Sequence, residues 1–170
     1  MNYFELFNIP VNLLVDTLAL KKQFYVLSRK FHPDFFSTAS AEEQEDALQK
    51  SAMLNKALKV FSSPDETIKY VLQLKGLLED DEKYQLPPAF LMDVMEVNEQ
   101  LADAKMDGSE QQITTLKLEI EALQKKLYEP VKNIVEGYKD GITTEKELLQ
   151  IKNYYFQKKY IDRMLGNFEF

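Results

Sequence analysis

Among 170 residues there is one histidine and no cysteine, which narrows the available chemistry before any fold is considered. A chain without Cys has no thiolate nucleophile, no disulfide framework and no thiolate metal site. One histidine cannot build a multi-histidine metal centre, and no glycine-rich phosphate loop is present. The polar constellation that remains is His32-Pro33-Asp34. His32 and Asp34 could mimic an acid–base pair, but the sequence supplies no nucleophile or substrate pocket to go with them. Pro33 limits backbone freedom and so lowers the entropy lost on binding, while His32 and Asp34 offer directional polar contacts. An X-Pro-Asp turn is also ordinary turn chemistry, so spacing alone leaves the role of the tripeptide open. The acidic run Glu79-Asp80-Asp81-Glu82 lacks the spacing of a calcium loop and reads as solvated charge.

The balance of 21 Lys and Arg against 28 Asp and Glu gives −7, which argues against nucleic acid as the main partner. Residues 1–75 are charge-neutral, so the whole acidic excess lies beyond them. That asymmetry points to two modules. An apolar content of 45% is enough for a packed core. No stretch approaches the roughly 18 apolar residues of a membrane span, and the N-terminus has neither a basic start nor a long apolar run, so a cytoplasmic home without membrane contact is expected.

Apolar residues recur at steps of 3 and 4, which predicts an all-α fold. Asp16 is placed to cap a helix whose Leu20, Phe24, Leu27 and Phe31 share a face, and the helix must stop at His32-Pro33. A second helix is expected from about Ala41 to Ser62, with Leu48, Ala52, Asn55 and Phe61 inward. Ser63-Pro64-Asp65 ends it and starts a shorter one through Leu74. Tyr3–Phe7 should lie across the pair. Gly76 and the acidic run then interrupt the pattern, which makes 76–83 a linker. Pro87-Pro88 introduces a helix to about Lys105, closed by Asp107-Gly108-Ser109. Ile113, Leu116, Ile120, Leu123 and Leu127 form the seam of the next helix, which Pro130 should kink or split. After Asp140-Gly141-Ile142-Thr143, a last helix from Thr144 to about Phe168 carries Leu148, Ile151, Tyr155, Ile161 and Leu165. Residues 84–170 thus form a three-helix bundle.

Within the bundle's first helix, Phe90, Val94, Val97 and Leu101 fall within about 60° at 100° per residue, a sufficient core stripe. Leu91 and Met95 lie about 100–140° away from Phe90, and Met92, Glu96 and Glu99 continue around the far side. Apolar groups outside the core arc with carboxylates beside them make a patch that can bind a partner, unless a broad core or the first module covers Leu91 and Met95.

Residues 1–75 resemble the J-domain family of co-chaperones. The match runs through Tyr3-Phe4-Glu5-Leu6-Phe7, then Lys21 to Arg29-Lys30-Phe31-His32-Pro33-Asp34, then Asn55-Lys56-Ala57 with Pro64 and Tyr70. The order and spacing together are highly specific, although Phe35-Phe36 follow the tripeptide where the family often has a lysine. Beyond the linker, Leu86 to Leu101 resembles the client-binding domain of the HscB co-chaperones of iron–sulfur cluster assembly. The Asn2-Tyr3-Phe4 opening and Leu165-Gly166-Asn167-Phe168 are compatible with that family.

The resemblance implies an N-terminal J-domain antiparallel helical hairpin plus a C-terminal three-helix bundle in an L-shaped two-module arrangement. It implies that His32, Pro33 and Asp34 dock on a DnaK/HscA-type heat-shock ATPase, supported by Lys21, Lys22, Arg29 and Lys30. It also implies that Leu91, Met92, Met95, Glu96 and Glu99 contact an IscU-like scaffold client, with Tyr155 of the last helix, or Phe156 beside it, completing the patch. The chain itself would be no enzyme and would hold no cofactor; an iron–sulfur cluster would belong to the client. Two alternatives stay open: a J-domain protein serving a different client, and a helical adaptor that stimulates no ATPase.

Overall fold

Side chains that accept hydrogen bonds from the first turn decide where most of the helices begin. The computed structural model describes residues 1–168; positions 169 and 170, which end the expected bundle segment, lie outside the described residues. Asn2 caps α1 (Tyr3–Phe7) and Asp16 caps α2 (Thr17–Lys30). A 3-10 turn, Pro33–Phe36, leads to Ser40, which opens α3 (Ala41–Phe61) in a reciprocal capping box with Glu43. Ser63 caps α4 (Pro64–Leu74), and α5 (Pro88–Met106) starts on its two prolines without a side-chain cap. Ser109 caps α6 (Glu110–Glu136), and Thr144 with Glu147 opens α7 (Glu145–Gly166). The described residues are all-α, as expected, with no strand. None of their helices is long and apolar enough to cross a membrane.

Contacts divide the chain into two compact units, the first formed by Met1–Lys75 together with Tyr138–Thr143 and the second by Gly76–Gly137 with the chain from Thr144 onward. In the first, α2 and α3 pair and α1 packs on both. Phe61, at the end of α3, centres an aromatic nest with Tyr3, Phe4, Phe7 and Tyr70; the Tyr3 and Tyr70 rings stack at 4.5 Å, and the Tyr3 amide donates to the Tyr70 hydroxyl at 2.9 Å. Thr67 is buried there, and its hydroxyl donates to the Val60 and Ser63 carbonyls at 3.1 and 2.9 Å, so its burial leaves no donor unmet.

The inner face of α3 differs from the one read in the sequence. Ala47, Leu54, Ala57 and Phe61 are buried, whereas Leu48 is 57% exposed and Ala52 and Asn55 face solvent. Two alanines on the buried stripe let a neighbouring helix approach closely, and weighting large side chains hides such a face. On α2, Leu20 and Leu27 are buried as expected, but Phe24 and Phe31 are only half-buried. Phe31 instead lies under two ammonium groups, Lys30 and Lys50, each 5.3 Å from the ring centre.

In the second unit α6 packs on both α5 and α7. Phe90, Val94, Leu101, Leu116, Ile120, Ile161 and Met164 form one buried cluster. Pro130 neither splits nor ends its helix: α6 runs unbroken through it. The missing N–H leaves the Lys126 carbonyl without its usual donor, and both residues lie on the exposed side while Val131 and Val135 extend the seam below. The acidic run is not wholly solvated either. The Lys152 ammonium pairs with Glu82 at 2.8 Å, and Tyr84 stacks on Phe156 at 4.5 Å.

The turn between α6 and α7 carries a compact polar group in the first unit. Tyr138 is buried and its hydroxyl donates to Asp140 Oδ1 at 2.9 Å, while Lys75 donates to the same oxygen. The hydrogen bonds from Lys75 and Tyr138 hold the Asp140 carboxyl below its ordinary 3.8, and burial pushes the Tyr138 hydroxyl up. A depressed carboxyl adds stability above its unfolded value and loses that increment as pH falls through its folded one. Acid titration of unfolding should therefore show a component below pH 3.8 that Asp140→Asn removes. The corrected α3 face gives a second test by urea denaturation: Leu54→Ala should cost about 2–4 kcal/mol, and Leu48→Ala about 0.5 kcal/mol or less.

Candidate functional site

Pro33 forces the residue before it out of helical geometry, and His32 takes φ −65°, ψ 128°. The tripeptide thereby leaves the end of α2 and becomes the start of the 3-10 turn. His32 caps that turn with its own ring: the Asp34 amide donates to His32 Nδ1 at 3.3 Å, and Asp34 Oδ2 lies 3.6 Å from the same nitrogen. The His32 and Asp34 side chains are both largely exposed, and Pro33 is exposed between them.

Lys21, Lys22, Arg29 and Lys30 are all solvent-facing on α2. The sequence reading missed what lies among them. Leu18, Tyr25 and Val26 are exposed, and at 100° per residue Leu18, Lys22, Tyr25 and Arg29 fall within about 60° of one another. This outer stripe mixes apolar area with positive charge and runs towards Phe35, also exposed, whose ring meets the His32 imidazole edge-on at 6.2 Å. The signal was available: apolar residues lay opposite the Leu20–Leu27 stripe, where a purely solvated face would carry none.

On α5 the inward stripe is the one expected, with Phe90, Val94 and Leu101 buried and Val97 half-buried. Met92 is 71% and Met95 56% exposed, Glu96 and Glu99 face solvent, and Leu91 is half-buried. The expectation for Tyr155 needs correction. It is 5% exposed and meets Phe156 edge-on at 5.2 Å, with Lys159 over its ring at 5.8 Å, so it belongs to the core of the bundle. Phe156 is engaged by its stack on Tyr84. The aromatic of α7 that reaches the methionine face is Tyr160, which contacts Phe90 at 6.1 Å and lines a notch of about 220 Å³ shared with Met95 and Arg163. Sequence spacing within α7 cannot reveal this, because it depends on how far α7 slides along α5.

The described residues thus form a helical hairpin whose connecting loop exposes His-Pro-Asp and a helical bundle whose α5 carries exposed apolar groups outside its core stripe. Comparison with known proteins agrees. A family model described as the HSCB C-terminal oligomerisation domain matches residues 86–167. The chain is similar to the co-chaperone protein HscB homolog of Photobacterium profundum, 36% identical over 138 residues that cover 75% of this chain and 80% of that protein. It is also similar to the homolog from Vibrio cholerae, 40% identical over 102 residues, and spans about 60% of the length of that relative. Among solved structures, human co-chaperone HscB superposes with a TM-score of 0.70 at 31% identity, covering 95% of this chain and 81% of the other. HscB of Vibrio cholerae gives 0.66 at 27% identity and 99% coverage of both. The chain belongs to the HscB family of J-domain co-chaperones.

The corrected placement of the α7 aromatics can be checked by chemical denaturation. Tyr155→Ala, a core truncation, should cost about 3 kcal/mol or more, whereas Met92→Ala on the outer face should stay within about 0.5 kcal/mol. Equal losses would contradict the assignment of faces.

Proposed function

We propose that this protein is a co-chaperone of iron–sulfur cluster assembly that stimulates the ATPase of a DnaK/HscA-type heat-shock chaperone and delivers an IscU-like scaffold protein to it. In this reading the chain catalyses no reaction and holds no cofactor. The cluster belongs to the client. The observation that supports the reading is that one chain of the HscB family leaves two sets of residues exposed: the His32-Pro33-Asp34 loop with its basic helix, and the Met92–Met95 face of α5.

Each surface suits its partner physically. The loop's fixed backbone and outward polar groups favour a directional contact, and Lys21, Lys22, Arg29 and Lys30 speed approach to an acidic partner. Leu18, Tyr25 and Val26 add apolar area that such an encounter can bury. On α5, exposed methionines offer an adaptable apolar surface, with Leu91 at its edge, and Glu96 and Glu99 fit a client whose contacting rim is basic. Tyr160 takes the place of Tyr155 as the aromatic partner of this patch.

One set of variants tests both halves. His32→Gln should abolish stimulation of ATP turnover while changing stability by no more than about 0.5 kcal/mol. Met92→Ala with Met95→Ala should weaken scaffold binding about 10-fold to 100-fold by calorimetry, yet stimulate the ATPase normally when no client is present. Full stimulation by His32→Gln would refute the switching role, and unchanged affinity of the alanine pair would refute the client surface.

A further inference from the structure

Met92 and Met95 stand one turn apart on the same outer face of α5, and with no cysteine in the chain, methionine sulfurs are its most readily oxidised groups. Exposure decides which of them a solution oxidant reaches. Of the other four methionines, Met164 is buried and Met53 half-buried, whereas Met1, in the first unit, and Met106, about three helical turns beyond Met95 on α5, are exposed. The patch therefore comes with internal controls.

The notch beside Met95 adds a second observation. Its walls include Asn98, Tyr160, Arg163 and Asn167, each carrying a hydrogen-bond donor. Among the described residues no hydrogen bond engages these four side chains. A thioether is a poor acceptor and gains little from such donors. A sulfoxide oxygen is a strong acceptor, so the same walls would hold an oxidised Met95 against the bundle.

We propose that Met92 and Met95 form a reversible oxidation switch that releases the client, an inference that rests on the client surface proposed above. Hydrogen peroxide is the oxidant. The sulfur lone pair attacks one peroxide oxygen, the O–O bond breaks as the S–O bond forms, and the departing hydroxide takes a proton to leave as water. Sulfur loses two electrons and the peroxide gains them. Two thiols of a methionine sulfoxide reductase system reverse the change, giving thioether, disulfide and water. The new oxygen places a polar acceptor where the client presents apolar area, and the donors around Met95 turn its side chain away from that area.

The test treats the intact protein with hydrogen peroxide, maps sulfoxides by mass spectrometry and measures affinity for an IscU-like scaffold by calorimetry. Oxidation at Met92 and Met95 should weaken binding about 10-fold or more, and methionine sulfoxide reductases should restore it. Met92→Leu with Met95→Leu, which conserves apolar volume, should show the same affinity before and after peroxide, whatever its starting value, although Met1 and Met106 are oxidised. Unchanged affinity of protein carrying both sulfoxides would overturn the switch, as would equal loss in the leucine variant or a loss that reductases do not reverse. Failure of the client surface itself is told apart by the alanine pair. If it binds the scaffold as well as wild type, the surface lies elsewhere and the switch falls with it; if it binds weakly while sulfoxides have no effect, only the switch falls.

Discussion

The break that Pro33 imposes between two paired helices is the constraint on which the switching surface depends. Without it the apolar stripe of α2 would carry the helix onward and His32 and Asp34 would face different directions. With it, His32 takes extended geometry and caps the following turn with its own ring. The pairing of α2 with α3, and the packing of the 3-10 turn on α3, turn this local kink into a projection held at a fixed place.

The two proposed docking surfaces are built by the same device. In α2 and in α5 one stripe is buried and a second set of apolar residues lies outside it: Leu18, Tyr25 and Val26 on α2, Met92 and Met95 on α5. A helix that only completed a core would leave that outer face to charge. The chemistry differs between them. Positive charge surrounds the apolar groups of α2, and carboxylates flank those of α5, so the two proposed surfaces suit partners of opposite charge.

Much of this was legible in the sequence because it followed from strong local rules. Prolines, caps and the Leu20–Leu27 and Phe90–Leu101 periods fixed helix boundaries and two of the buried faces. The inner face of α3 was not legible, because alanines 47 and 57 carry it and Leu48 competes for attention on the other side. Pro130 could not be resolved from the sequence, since whether a helix survives a proline depends on whether the freed carbonyl lies on an exposed side. Tyr155 was misplaced for a tertiary reason. The core of α7 is wide enough to take both Tyr154 and Tyr155, and the aromatic left beside Met95 is set by the axial register of α7 against α5.

The central claim is that one molecule must carry both surfaces, the loop to switch the ATPase and α5 to hold the client it delivers. Mixing two variants tests this directly: His32→Gln, which keeps the client surface, and Met92→Ala with Met95→Ala, which keeps the loop. With the heat-shock chaperone and the scaffold at concentrations near the wild-type affinity, steady-state ATP turnover should show no client-dependent gain beyond that of the loop-competent variant alone. Restoration of the wild-type client-dependent rate by the mixture would show that switching and delivery need not share a chain, and would contradict the account.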